Sequence, residues 1–370
     1  MGRSVAGFIL ILSFTGIFQN PGTDSIPFSI DQRQFRFLFN GLSEPEGYFD
    51  SDNFISNERS YLKILPDLKQ LVTQGGVYIG VGPDQNYSYI AAVRPQLAFI
   101  LDIRRQNALQ HLYLKSLFQL SDSRSMYAER LFGRQFKAPD KSASQKISDL
   151  LHRIDQSPSD ASFEKKTIAE AIQTIRSWDA GLNEADYAAI QRIARAFIDN
   201  GPDLKFTTLN RAPRDYYPSY RQLLEETDSE GMQSSYLADE SAFQYIKKLH
   251  RENRIVPVVG DLAGTQAMLK IGVELRQRGL ALDCFYVSNV EFYLFGSERW
   301  KAYTKNLARL PREPNACLVR SYARARQQYT AIPDYYMGAI VQSVQSFLDD
   351  ESAGLNRNYR DLVSRGLVIH

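Results

Sequence analysis

Val77-Tyr78-Ile79-Gly80-Val81-Gly82-Pro83-Asp84 sets three β-formers before two glycines, a proline and an acid. Gly75-Gly76 breaks the chain just upstream. This order predicts a short strand over residues 77–79 that ends in a glycine turn. Residues 85–93 then suit a helix that Pro95 stops. A second apolar run, Leu97-Ala98-Phe99-Ile100-Leu101, ends at Asp102, and residues 104–118 return to a helical pattern. Strand, helix, strand and helix in that order form a βαβ unit and imply a parallel sheet.

In an open sheet of this kind, ligands bind beyond the carboxyl ends of the strands. Gly80 and Gly82 allow a tight turn and a close backbone approach, and Asp102, about 20 residues on, is placed to hold ribose hydroxyls. The dinucleotide fingerprint wants a third glycine where Gln85 stands. Asp84 at the positive end of the helix repels a phosphate but tolerates an ammonium and a sulfonium. The expected cofactor-binding set is therefore Gly80, Gly82, Asp84 and Asp102, with S-adenosylmethionine favoured over NAD or FAD. The competing explanation is that the glycines only turn the chain and Asp102 caps the next helix. No GxxxxGK[ST] occurs, so a P-loop is excluded.

Outward from this unit, Asn57 suits the start of a helix over residues 57–74 that Pro66 kinks or divides. Residues 121–205 are helical with one polar face, and they read as an insertion. The α/β alternation resumes with helices over 241–252 and 265–278 and strands over 255–259 and 283–287. A last strand is expected over 316–320. Pro257 is a warning inside a central strand, because it cannot donate to the ladder. The expected fold is α/β, a Rossmann-like doubly wound sheet. Its parts are an apolar segment (1–24), a lid with the first half of the sheet (25–120), the helical insertion (121–205) and the second half (206–370).

Residues 77–87 and 97–102 resemble motifs I and II of class I S-adenosylmethionine-dependent methyltransferases. The resemblance implies a seven-stranded sheet, Gly80 and Gly82 facing the cofactor's amino-acid part, and Asp102 on its ribose. Two departures stand out. The acid before the first glycine is missing, and Gly260-Asp261-Leu262-Ala263 replaces the Asp/Asn-Pro-Pro-aromatic loop of amino-methylating members. The segment Glu44 to Glu58 also resembles an uncharacterised bacterial family without an assigned activity. On this basis Asp261 is the candidate catalytic residue, and Asp50, Asp52, Asn53 and Asn289 are candidate substrate contacts. The expected strand order sets Asp261's strand beside the one leading into Gly80. The alternative is a non-catalytic module that binds a nucleotide or a partner protein.

Composition narrows the field. The 370 residues are 44% hydrophobic and 23% charged, with a net charge of +2, so a buried core is expected and nucleic acid is not. Cys284 and Cys317 lie in apolar runs as buried thiols. There is no HExxH or GxSxG, and no metal is expected. Tyr286, Phe292, Tyr293 and Phe295 read as core, and Glu225, Glu226, Asp228 and Glu230 as a solvated face. The apolar run over residues 5–18 is short for a membrane span and suits a signal h-region or tether. A mistaken start or a buried segment are the other readings. The cofactor puts the folded domain on the cytoplasmic side.

Overall fold

The computed structural model of the chain describes residues 28–51, 54–137, 146–212, 214–323 and 336–368. Seven strands form one sheet: β1 (Val77–Gly80), β2 (Leu97–Asp102), β3 (Ile255–Val259), β4 (Leu282–Ser288), β5 (Arg312–Ala323), β6 (Met337–Ser343) and β7 (Leu367–Val368). Their order is β3-β2-β1-β4-β5-β6-β7. The first five pair in parallel, and β6 and β7 pair antiparallel. The protein is thus mixed α/β with a mostly parallel sheet. β1, β2 and β3 are buried along their whole length, as strands covered on both faces must be.

The chain lays β1, β2 and β3 towards one edge, then returns to the far side of β1 for β4 and β5. The order reverses between β1 and β4, and a crevice opens at such a switch point. This order corrects two expectations. Residues 255–259 pair with β2, not with the strand leading into Gly80. The run 316–320 belongs to the longer β5, and two further strands follow it. β3 is also the sheet edge, which explains Pro257, paired opposite Ile100: an edge strand has one neighbour, so the missing N–H costs no second ladder.

Local chemistry fixes the helices. Gln85–Val93 starts right after the glycine turn and closes on Arg94 in the left-handed region, just before Pro95. Residues 57–74 form no single helix. Arg59–Leu62 makes a 3-10 turn, and Leu65–Leu71 an α-helix with Pro66 in its first turn, where a missing N–H costs nothing. Between β2 and β3 the chain forms the helices Arg124–Phe132, Ile147–Gln156, Ala161–Ser177 and Glu184–Asn200. Asp160 caps one of them, and an Asn183–Asp186 capping box starts another. Among the described residues no helix is long and apolar enough to cross a membrane. Residues 5–18 lie outside the described residues.

Candidate functional site

A cavity of about 230 Å³ lies at the carboxyl ends of β1 to β4. Gly82 and Gln85 line it after β1, Asp102 and Arg104 after β2, Gly260 and Asp261 after β3, and Ser288 and Asn289 at the end of β4. Tyr48, Phe49, Ser56, Asn57 and Glu58 enter from the N-terminal segment, and Tyr293, Leu294 and Arg299 from the helices after β4. Tyr48 and Tyr293 are 76% and 56% exposed and mark the mouth. Phe292, 59% exposed, adjoins Tyr293. These last two rings were expected in the core. The helix Val290–Leu294 spans five residues, too few for a buried face to declare itself.

The segment over the cavity is tied to the sheet. The Glu44 amide donates to the Val259 carbonyl, and its carboxylate accepts the N–H groups of Asp261, Gln266 and Ala267. Glu44 therefore caps the helix Ala267–Arg278, a task Asp261 could otherwise have been given. The Gly47 amide donates to the Ile103 carbonyl, and the Ser51 hydroxyl to the Thr207 carbonyl.

The glycine turn is held from behind. The Asn86 side-chain amide donates to the carbonyls of Val81 (3.1 Å), Gly82 (3.2 Å) and Pro83 (2.7 Å), and its oxygen accepts the Tyr78 hydroxyl. His111 Nε2 lies 2.9 Å from the Gly82 carbonyl, and Nδ1 lies 2.7 Å from the Tyr87 hydroxyl. A carbonyl can only accept, so Nε2 carries the proton and Tyr87 donates to Nδ1. Burial lowers His111 to about 4, so the ring is neutral at physiological pH. Gly82 has φ +89°, a conformation glycine adopts freely. In a trans peptide the N–H points opposite to the C=O. With the Val81 carbonyl turned onto Asn86, the Gly82 N–H faces the other way.

The expected site residues divide. Gly82, Asp102, Asp261 and Asn289 line the cavity. Gly80 does not; a Cβ there would strike the side chains of Asn86 and Tyr78, so its smallness serves packing. Asp84 is a correction. Its carboxylate is buried and accepts the hydroxyls of Tyr220 and Tyr236 on the inner side of the turn. Burial raises it to about 6 against the lowering effect of those two hydroxyls. Asp50 pairs with Arg211 outside the cavity lining. Asp52 and Asn53 lie outside the described residues.

Two lining carboxylates already have partners. Asp102 Oδ1 accepts the backbone N–H and Nε of Arg104, both at 2.9 Å, and Oδ2 accepts Nη2 at 2.8 Å. Asp261 accepts the Ala263 N–H at 2.9 Å and pairs with Arg299. The expected solvated acids also differ from the reading. Glu226 is buried against Lys63, and Asp228 is buried, accepting from Glu230, Met232 and Ser234.

Glu58 is the group that sequence reasoning missed. It is 1% exposed, and its carboxylate accepts the hydroxyls of Tyr286, Ser288 and Ser321. Burial raises its pKa, and the three hydroxyls oppose that rise without reversing it. Among the described residues no cation pairs with it. A faint signal existed: Tyr286 and Ser288 fall on one face of β4 by the two-residue period of a strand.

Residues 53–365 match a family described as a domain of unknown function (DUF7790), and the chain belongs to that family. No curated protein matches the sequence.

Proposed function

We propose that this DUF7790 chain is an S-adenosylmethionine-dependent methyltransferase of unknown substrate, built on a Rossmann-like, doubly wound sheet similar to that of class I methyltransferases. The observation that carries the reading is the cavity at the reversal of strand order, with Gly82, Asp102 and Asn289 on its wall. The order β3-β2-β1-β4-β5-β6 is that of the dinucleotide-binding sheet, although β6 here runs antiparallel. Asp102 would hold the ribose through Oδ2, which accepts one Arg104 donor and retains a lone pair. The Gly82 N–H supplies a donor. Methyl transfer needs alignment of donor and acceptor more than proton transfer, so a site without a lining histidine or cysteine suffices. Asn289 and the rings of Tyr48 and Tyr293 lie where a substrate would enter. This reading places the folded domain in the cytoplasm.

The test is thermal shift with S-adenosylhomocysteine, because a ligand that binds only the native state raises the melting temperature. Asp102→Asn should reduce that shift while the protein stays folded. Stabilisation by NAD and not by S-adenosylhomocysteine would sink the assignment. The pairing of Asp102 with Arg104 and of Asp261 with Arg299 favours a second reading, a binding module without turnover. Release of S-adenosylmethionine from denatured protein together with methyl transfer to an added acceptor pool separates the two.

A further inference from the structure

We infer that the ligand of this cavity carries a protonated amine that seats against Glu58 and Gln85. The inference deepens the reading above and rests on it only for the choice of the first probe. Three cavity-lining carboxylates can be compared. Asp102 is paired with Arg104 and Asp261 with Arg299. Glu58 is more deeply buried than either, and among the described residues it has hydroxyl donors alone. A carboxylate has about four lone-pair sites, and three hydroxyls leave one open. A buried carboxylate without a countercharge is costly to ionise, and a cation seated beside it stabilises its charged form.

Gln85 supplies the second, independent observation. Its side chain is 6% exposed and lines the same cavity. Its Nε2 donates to the Tyr286 hydroxyl at 3.4 Å, while its Oε1 is buried with no partner among the described residues. Because Tyr286 gives its proton to Glu58, the Gln85 amide cannot be turned round to satisfy its oxygen there. One tyrosine hydroxyl thus joins a carboxylate with one lone pair open to an amide whose oxygen has no donor among the described residues. An ammonium group has three N–H donors and a positive charge, and it answers both needs. A sulfonium or quaternary amine brings the charge without the donors, and an alcohol brings a donor without the charge.

The amine has two possible sources: the amino-acid end of the cofactor, or the substrate. Calorimetric titration of the full chain and of Glu58→Gln separates them. The probes are S-adenosylhomocysteine, methylthioadenosine (the same nucleoside thioether without the amine), and butylamine and phenethylamine with their matching alcohols. If the cofactor supplies the amine, Glu58→Gln weakens S-adenosylhomocysteine by about tenfold or more, as loss of a buried charged partner does, and leaves methylthioadenosine unchanged. If the substrate supplies it, the wild type prefers the amines to the alcohols by a similar factor, and Glu58→Gln abolishes that preference. S-adenosylhomocysteine binding that ignores Glu58, with no amine preference, overturns the inference and leaves the cofactor reading intact. A Glu58-dependent amine preference without any adenosyl binding does the reverse. No binding of any amine probe at millimolar concentration also overturns the inference. Should Glu58→Gln fail to fold, Gln85→Leu carries the test: it keeps the charge and removes the open acceptor, and amine binding equal to wild type sinks the proposal.

Discussion

The turn from Gly80 to Gln85 has two sides, and they treat polar groups in opposite ways. On the inner side, Asp84 accepts two tyrosine hydroxyls, Asn86 gathers three carbonyls and a hydroxyl, and His111 bridges Gly82 to Tyr87. On the cavity side, among the described residues, Gln85 keeps an unpaired oxygen and Glu58 is a carboxylate without a cation. Burial is similar on both sides, so exposure does not explain the contrast. The bonds of Asn86 and His111 fix the loop, and an open set beside the same loop awaits a ligand.

The largest expected effect breaks the inner side. Asn86→Leu leaves the Val81 carbonyl and the Tyr78 hydroxyl without a partner and takes one of two donors from the Gly82 and Pro83 carbonyls, and a buried group left unpaired costs about 1–3 kcal/mol. We expect a loss of about 3 kcal/mol or more in urea unfolding. A change within about 0.5 kcal/mol, typical of a neutral surface site, would show that the loop holds without the amide.

The second prediction uses pH. Asp84 is raised from 3.8 to about 6, so its contribution is present below pH 4 and is lost as pH rises through 6. His111 is lowered from 6.5 to about 4, so the unfolded chain takes up its proton first, and stability is lost as pH falls from 6.5 to 4. The two oppose each other over that window. Asp84→Asn removes one of them, so its stability should fall more steeply with acid than the wild type's, by about 2–3 kcal/mol across the window. Parallel pH profiles would refute the assignment.

The third acts on Gly82 itself. Gly82→Ala forces a side chain onto φ +89°, at a cost of about 1 kcal/mol or somewhat more. The melting temperature should fall by a few degrees, and S-adenosylhomocysteine should bind more weakly as well. An unchanged melting temperature would mean that the turn relaxes freely. The smallest effect belongs to Asp261→Asn on the cavity side. Its pair with Arg299, which is 54% exposed, should cost less than about 1 kcal/mol when lost. A drop of several kcal/mol would make Asp261 structural after all.

The inner side was partly legible in the sequence, and the cavity side hardly at all. Gly80, Gly82, Pro83 and Pro95 punctuate the chain locally, so β1, β2 and the helix between them fell close to their expected bounds. The position of β3 depends on pairing between distant segments, which no local pattern records, and Asp261 was misplaced with it. Asp84 looked like a helix-start acid free for a ligand because Tyr220 and Tyr236, its partners, lie more than 130 residues away. Arg104 is only two residues from Asp102, so that pairing was within reach of a sequence argument. Glu58 meets hydroxyls from β4 and β5, and nothing in its own neighbourhood announces them.

The segment over the cavity is anchored at one end by Glu44 on β3 and the helix after it, and at the other by Glu58 on β4 and β5. A strap fastened at both ends does not swing like a door. Ligand traffic is then a matter of passage beside the strap, where the exposed rings of Tyr48 and Tyr293 line the cavity. Exchange rates should follow the bulk of the incoming molecule more than its affinity. Trimming Tyr293 to alanine would quicken entry and exit together and leave their ratio, the equilibrium constant, nearly where it was.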